Sequence, residues 1–263
     1  MTAEDDPGGS YCADDADWGK RQARPRRPAY ADGVKILYED NHCLALAKPA
    51  GLLTQGVPAG IPTLEAWAKA YLKEKYAKAG NVYLGIPHRL DRPVSGVVLF
   101  ARSTKAAQRL AEQFRDRTVQ KVYLALVEGE SPEEGEWRDF LLKVAEESRS
   151  RVVDEGTPGA REAVLRFKRL AAGEEGSLLR LEPLTGRMHQ LRVQSSSRGL
   201  PIKGDAAYGA KSLFGPPADL ERDRPIALHA WSLTFLHPIR YEPVTVRAPL
   251  PDYWSEWARG AVE

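Results

Sequence analysis

From Val34 onward, short apolar segments of strand character follow one another with few helices between them. Examples are CLALAK, GVVLFAR and QKVYLALVEG, each an apolar run that turn residues or charged residues interrupt. A doubly wound parallel sheet needs a helix between successive strands, and this chain lacks that regular alternation. The pattern therefore predicts an α+β domain built around a mostly antiparallel mixed sheet that is flanked by helices and loops.

The helical segments can also be located from their end signals. The segment TLEAWAKAYLKEKYAKAG predicts an amphipathic helix with Thr63 as its N-cap and Gly80 beyond its end. A second helix, STKAAQRLAEQFRDR, begins after the cap Ser103. TGRMHQLRVQSSSRG predicts a turn followed by a short helix that stops at Gly199. The Glu- and Arg-rich residues 130–161 predict loops with a weak strand or hairpin.

The first 33 residues differ in composition from the rest. An acidic stretch precedes the proline-broken basic run KRQARPRRP, and such blocks have little to bury. We expect a disordered or extended tail over residues 1–33. Residues 34–263 are expected to form one domain, which is large enough for a catalytic domain. Arg24, Arg26 and Arg27 could alternatively contact phosphates.

Cysteine use and hydropathy bear on the compartment. Cys12 lies in the tail and Cys43 in an apolar run, without metal-ligand spacing, which favours free thiols in a reducing cytoplasm. No run is long and apolar enough to cross a bilayer, and the N-terminus lacks the basic region and apolar core of a signal peptide. These features predict a cytoplasmic protein without membrane contact.

The net charge gives little guidance about partners. It is +2 for the 263 residues, so a general basic character does not identify a nucleic-acid-binding protein. An argument for RNA must therefore depend on where individual arginines and lysines lie.

The segment IPHRLDRPVSG places a carboxylate between cations just before an apolar run. Asp91 has Arg89 and Arg92 as close neighbours, and Pro87 and Pro93 make the segment stiff and non-helical. Neighbouring guanidiniums would keep Asp91 ionised, which suits a nucleophile or a cation stabiliser better than a proton donor. A turn aspartate that accepts hydrogen bonds from backbone amides is the alternative.

Two further segments carry polar groups of chemical interest. In QKVYLAL, Lys121 and Tyr123 lie two residues apart on a strand and share one face, as would suit an anionic ligand with a flat ring. A surface tyrosine covered by a lysine stem explains the pair equally well. In LTGRMHQLRV, Arg192 lies on a helix from which it could reach a carboxylate of a neighbouring loop.

Asp205 and two histidines are the remaining polar residues of interest, and for these the sequence favours structural roles over metal binding. Asp205, in the Gly-rich turn PIKGDAAYG, is expected to bond turn amides. His229 and His237 lack acidic or cysteine companions at ligand spacing, so we predict no metal site.

Together these segments resemble the RluA family of RNA pseudouridine synthases. The resemblance spans Val34 to Pro249 and is carried by YEDNHCLALAKPAGLLT, HRLDRPVSG, QKVYLALVEG, TGRMHQLRV, GLPIKGDAAYG and LHAWSLTFLHP in this order. It implies the pseudouridine synthase fold with a central active-site cleft. Unlike family members with an S4-type RNA-binding domain, this chain is expected to be a stand-alone catalytic domain, because the 33 residues before it cannot hold that fold.

The resemblance implies specific roles. Asp91 would be the catalytic aspartate, Tyr123 would stack on the target base and could assist its deprotonation, and Arg192 would pair with Asp91. Arg89 would enter the RNA helix where the target base has left its stack. Arg187, Lys121 and Lys203 would contact phosphate or substrate. Such an isomerisation of structured tRNA or rRNA requires no cofactor and no metal, and we expect a monomer.

Two departures from the family pattern and two alternative functions remain. The family commonly has Thr at the position of Val94 and His at that of Gln194, so the pocket rim or an RNA contact could differ. A catalytically silent RNA-binding protein on the same fold is the main alternative function. A carboxylate glycosidase is another, although that chemistry normally uses two acids and only Asp205 could supply the second.

Overall fold

The computed structural model describes residues 33–56, 61–144 and 146–262. The prediction of a tail over residues 1–33 lies outside the described residues except for Gly33, and so does the expectation for Cys12. No helix in the described part of the chain has the length and apolar character of a membrane-spanning helix.

The strands of the described residues form one ten-stranded sheet. In order across the sheet they run β1-β2-β3-β9-β4-β8-β7-β5-β6, with β10 paired to β9. All pairs are antiparallel except β3 with β9, which confirms the predicted α+β class and its mostly antiparallel sheet. The strands are β1 (Lys35–Glu39), β2 (Cys43–Lys48), β3 (Ser95–Ala101), β4 (Gln120–Val127), β5 (Glu134–Val144), β6 (Arg149–Val153), β7 (Arg161–Gly173), β8 (Gly176–Pro183), β9 (Leu228–Leu236) and β10 (Pro243–Arg247).

The parallel pairing of β3 with β9 fixes the segment that carries Asp91. Ser95 and Gly96 face His229 and Ala230 across this short ladder. Gly96 has a φ of +120°, and a Cβ atom there would overlap the backbone of Ala230. Because only glycine allows this approach, the chain just before β3 lies against β9 and near β4.

Four helices lie among the described residues: α1 (Leu64–Lys75), α2 (Thr104–Arg115), α3 (Gln190–Ser196) and α4 (Glu256–Gly260). The predicted caps are confirmed, because the side chains of Thr63 and Ser103 accept hydrogen bonds from amides three residues on. The first helix ends at Lys75, earlier than predicted, and the exposed residues that follow it have no apolar side to bury. The third helix ends near Gly199, as expected.

Over residues 130–161 the predicted hairpin is confirmed, but the predicted loops were wrong, because most of the region is strand. This region holds β5, β6 and the start of β7, in which β5 pairs with both other strands. Trp137 and Leu141 of β5 are buried on one face, whereas Arg138 pairs with Glu136 and Glu162 on the other. The cross-strand charge pairs hid the strand pattern, because charged residues also indicate loops.

The middle of the sheet is buried on both faces. Alternate residues of β2 and β3 enter two different apolar clusters: Leu44 and Phe100 contribute to the larger one, and Ala45 and Leu99 to the smaller. Buried residues of α1 belong to the larger cluster and those of α2 to the smaller. A rigid core on both faces of the sheet therefore supports the segment that precedes β3 and carries Asp91.

Candidate active site

A cleft of about 570 Å³ lies where three parts of the chain meet: the segment before β3, the strand β4 and the turn that leads into α3. Among the described residues that line it, Asp91 supplies the only carboxylate. Six lysine or arginine residues also line it: Arg89, Arg115, Arg117, Lys121, Arg187 and Arg192. This charge balance favours an anionic ligand.

Asp91 lies inside the cleft, partly open to solvent. Its side chain is 34% exposed, and its Oδ2 is 3.4 Å from Nη1 of Arg192. Nε2 of His189 lies 3.5 Å from the same oxygen. The carboxylate therefore has a cationic neighbour and remains accessible to a ligand.

Arg192 is held mainly by a residue that the sequence did not assign to the site. Asp205 accepts hydrogen bonds from its Nε at 2.6 Å and from its Nη2 at 2.7 Å. Burial alone would lower the pKa of Arg192, but the hydrogen bonds and charge of Asp205 and the charge of Asp91 raise it. As expected, Asp205 bonds turn amides, since its backbone carbonyl accepts hydrogen bonds from the N–H groups of Tyr208 and Ala210. Its side chain adds the bidentate pair with Arg192, which leaves Nη1 free to reach Asp91.

The sequence neighbours of Asp91 do not form the expected pair of flanking guanidiniums. Nε of Arg92 contacts Oδ1 of Asp223 at 2.5 Å and donates to the carbonyl of Gly51 at 3.0 Å. Arg89 is exposed at the cleft rim. The cation beside Asp91 is instead Arg192, a hundred residues further along the chain.

A buried lysine supports the Asp91 segment from behind. Nζ of Lys48 donates to the carbonyls of Pro49, Leu52 and Arg92 at 3.0, 2.7 and 3.1 Å. Burial lowers the pKa of Lys48 to about 7, against the opposing charge of Asp91. Its position in KPAGLL, between an apolar strand and a Pro-Gly turn, was the available sequence signal, and our reading of the sequence gave it no role.

His88 and Tyr123 contribute half-buried rings to the cleft wall. The backbone N–H of Leu99 donates to Nε2 of His88 at 2.9 Å, and the imidazole stacks on Phe114. Burial and the charge of Lys121 lower the pKa of His88 to about 3, so its ring is neutral. Burial and the charge of Asp91 raise the pKa of Tyr123, so its phenol stays protonated at neutral pH.

A hydrogen-bonded chain leads from His189 to the β5–β6 hairpin. His189 has a left-handed backbone with a φ of 52°, and its Nδ1 lies 2.9 Å from the hydroxyl of Tyr208. The backbone N–H of Ser150 donates to that hydroxyl at 3.0 Å. Sequence reasoning missed His189 and Tyr208, since their partners are brought together only by the fold.

Not all predicted site residues share this cleft. Asp91, Tyr123, Arg192, Arg89, Arg187 and Lys121 line it. Lys203 lies in a second cleft, which Glu128 also lines. Gln194 is buried and donates to Oδ2 of Asp139 at 2.6 Å, so the departure from the family pattern at this position affects the interior, whereas Val94 does line the cleft.

Within the part of the chain that the structure describes, one group of side chains has the residue types of metal ligands, namely Asp40, Cys43 and His237. Its chemistry does not suit a metal. The Asp40 carboxylate accepts hydrogen bonds from the Tyr38 hydroxyl and from two backbone amides, and also contacts His237. Burial raises the pKa of Cys43 to about 12, which disfavours the thiolate that a metal needs.

The sequence of this chain is similar to those of known RNA-modifying enzymes. The sequence profile described as RNA pseudouridylate synthase matches residues 42–197. The chain is 35% identical over 222 residues to ribosomal large subunit pseudouridine synthase C of Vibrio vulnificus, covering 82% of this chain and 65% of that relative. It is 33% identical over 244 residues to tRNA pseudouridine synthase C of Haemophilus ducreyi, covering 84% of this chain and 93% of that relative.

Solved structures agree on the fold. Human RNA pseudouridylate synthase domain containing 1 superposes with a TM-score of 0.65 at 26% identity, covering 89% of this chain and 90% of that one. The chain spans 65% of the length of the first ribosomal relatives that it matches.

Proposed function

This chain belongs to the RNA pseudouridylate synthase family, and we propose that it isomerises specific uridines of structured ribosomal or transfer RNA to pseudouridine. One observation carries the proposal: Asp91 is the only carboxylate among the described residues of a cation-lined cleft, and Arg192 lies 3.4 Å from it. The names of the relatives support RNA as the substrate class, since they act on ribosomal RNA or on tRNA.

The reaction conserves all atoms and electrons. The N1–C1′ bond of uridine breaks, the uracil turns, C5 bonds to C1′, and the C5 proton is lost while N1 gains one. Asp91 acts in its ionised form, as nucleophile, base or cation stabiliser. Arg192 stabilises that ionised form, and Asp205 holds Arg192 in position.

Tyr123 supports the base through its ring. It lies in the same cleft as Asp91, and its half-buried ring offers an apolar face on which uracil can stack. Because its pKa is raised by burial, proton abstraction by a phenolate is disfavoured at neutral pH. We therefore assign Tyr123 to stacking and to hydrogen bonding through a protonated hydroxyl.

Base flipping would bring the uridine to Asp91. A stacked base costs a few kcal/mol to unstack, and a guanidinium that takes its place offsets part of that cost. Arg89 suits this role, since it is exposed at the rim of the cleft, two residues from Asp91. Lys121 and Arg187, inside the cleft, are proposed to contact the RNA backbone, and Lys203 would do so only on its separate surface.

The decisive experiment replaces the carboxylate alone. RNA from cells that lack this gene is treated with the wild-type protein, with Asp91→Asn or with Asp154→Asn, and pseudouridines are mapped. We expect Asp91→Asn to keep RNA binding and to lose at least about 10³-fold in rate. Asp154→Asn, an exposed carboxylate outside the cleft, should keep full activity. Full activity of Asp91→Asn would overturn the proposal.

The alternative of a silent RNA-binding protein has its own outcome in this experiment. It predicts that the wild-type protein binds RNA but leaves every uridine unmodified. A further arm with Arg89→Ala tests base flipping. This variant should lose more activity on a base-paired target than on the same uridine in a single strand, and an equal loss on both would contradict the role of Arg89.

A further inference from the structure

Three cations at one end of the cleft lie close together without acidic partners. They are Lys121 of β4, Arg117 of the α2–β4 turn and Arg187 of the turn before α3. The charge of Arg117 lowers the pKa of both Lys121 and Arg187, after the larger effect of burial on each. Mutual repulsion of this kind costs stability, so an anion bound among the three would relieve it.

The neighbouring carboxylates are already engaged elsewhere. Glu162 pairs with Arg138, Asp116 with Arg115 and Asp91 with Arg192. Among the described residues, no carboxylate oxygen lies within 4.0 Å of the cationic nitrogens of Lys121 or Arg117.

Lys121 is the centre of the group and is held in place. Its Nζ donates one hydrogen bond, to the carbonyl of Thr185 at 3.2 Å, which leaves its other donors for a ligand in the cleft. The turn that carries this carbonyl is itself fixed, because Gln190 accepts hydrogen bonds from the Thr185 hydroxyl and the Arg187 amide. The position of the ammonium is thus set before any ligand binds.

We propose that Lys121 and Arg117 form a binding subsite for one phosphodiester group of the RNA, next to the target nucleotide. Lys121 and Tyr123 lie on the same face of β4, two residues or roughly 6.6 Å apart along the strand. A nucleotide whose base stacks on Tyr123 therefore has a neighbouring phosphate within reach of Lys121. This inference rests on the proposed function, because it takes RNA as the ligand of the cleft.

Binding of a phosphodiester at this subsite should favour the protonated form of Lys121. Burial and Arg117 lower the pKa of Lys121 to about 8, and a bound phosphodiester raises it again. The titratable groups His88 and Tyr123 beside Lys121 do not change charge near this pH, because the pKa of His88 is lowered to about 3 and that of Tyr123 is raised. Binding should therefore weaken as the pH rises through 8.

Equilibrium binding of the full chain to a uridine pentanucleotide tests the subsite. Each lost phosphate contact should reduce the slope of log affinity against log salt by about 0.7. We expect this reduction for Lys121→Gln and for Arg117→Gln, but not for Lys121→Arg or for Lys35→Gln, which removes an exposed lysine of β1. The same oligonucleotide with uncharged methylphosphonate linkages should bind the wild-type protein and Lys121→Gln equally.

A pH arm separates the lysine from general charge effects. Wild-type affinity for the phosphodiester oligonucleotide should be about tenfold weaker at pH 9 than at pH 7, and Lys121→Arg should remove this dependence. An unchanged salt slope in Lys121→Gln, or a wild-type protein that does not prefer phosphodiester linkages, would overturn the subsite. Isomerisation is measured separately. If the wild-type protein is inactive but the variants show the expected salt slopes, only the proposed function is contradicted. If the protein isomerises uridine but Lys121→Gln leaves the slope unchanged, only the subsite is contradicted.

Discussion

At the scale of single residues, the two carboxylates beside Arg192 have different tasks. Asp205 is 1% exposed and binds the guanidinium through two hydrogen bonds, whereas Asp91 is partly exposed and lies at the longer distance of 3.4 Å. A buried arginine that loses its partner is left with an uncompensated charge. Asp205 therefore stabilises the fold and positions Arg192, and Asp91 remains available for a ligand.

This division predicts a large loss of stability for one of two matched substitutions and almost none for the other. Asp205→Asn should lower the free energy of unfolding by about 3–5 kcal/mol and also lower isomerase activity, because the buried arginine loses its charged partner. Asp91→Asn should remove activity with little change in stability, since its side chain is 34% exposed. Urea unfolding and RNA isomerisation of both variants check this. Wild-type stability of Asp205→Asn would refute the assignment.

The residues that sequence reasoning found and missed differ in a physical way. Asp91, Tyr123 and Arg192 lie in segments with family resemblance, and the fold brings all three to one cleft, while their roles remain predictions. Asp205 and Lys48 also lie in segments with that resemblance but were not assigned to these roles, because their importance comes from the partners that the fold gives them, Arg192 for Asp205 and the Arg92 carbonyl for Lys48. Burial and pairing of a polar group cannot be read from its sequence neighbours.

At the scale of secondary structure, local signals predicted where helices begin. They were less accurate for where helices end and for whether a charged segment forms a strand. Thr63 and Ser103 cap α1 and α2 through hydrogen bonds that their own side chains make, so the signal is local. The strand β5 is stabilised by its pairing with β6 and β7, and its charged sequence predicted that strand only weakly. The parallel pairing of β3 with β9 spans more than a hundred residues and was likewise not predicted.

That parallel pairing should depend on one glycine. Gly96→Ala would force a Cβ atom against the backbone of Ala230 at a φ of +120° and should cost about 2–5 kcal/mol of stability. Because β3 directly follows the Asp91 segment, RNA isomerisation should fall as well. Gly80→Ala is the control, since nothing lies within 4 Å of the added atom and the change should be nearly neutral. Equal thermal stabilities of the two variants would contradict this role for Gly96.

At the scale of the whole molecule, the buried His229 and the half-buried His88 make stability depend on pH. His229 contacts the Ser95 hydroxyl at 2.8 Å and the Ala248 carbonyl at 3.1 Å, so it joins β9 to the start of β3 in its neutral form. Burial lowers the pKa of His229 to about 4, and burial with the charge of Lys121 lowers that of His88 to about 3. Both values lie well below the ordinary value of 6.5.

Acid should therefore unfold this protein at a pH where most carboxylates remain ionised. Below pH 6.5 the unfolded chain binds protons at these two histidines and the folded chain does not, so stability is complete above pH 6.5 and falls toward pH 4. Each histidine contributes up to about 1.4 kcal/mol per pH unit. Urea midpoints at pH 7, 6 and 5 should fall with unchanged m-values, and less steeply in His229→Gln. Midpoints that stay constant from pH 7 to pH 5 would show that these imidazoles become protonated inside the fold.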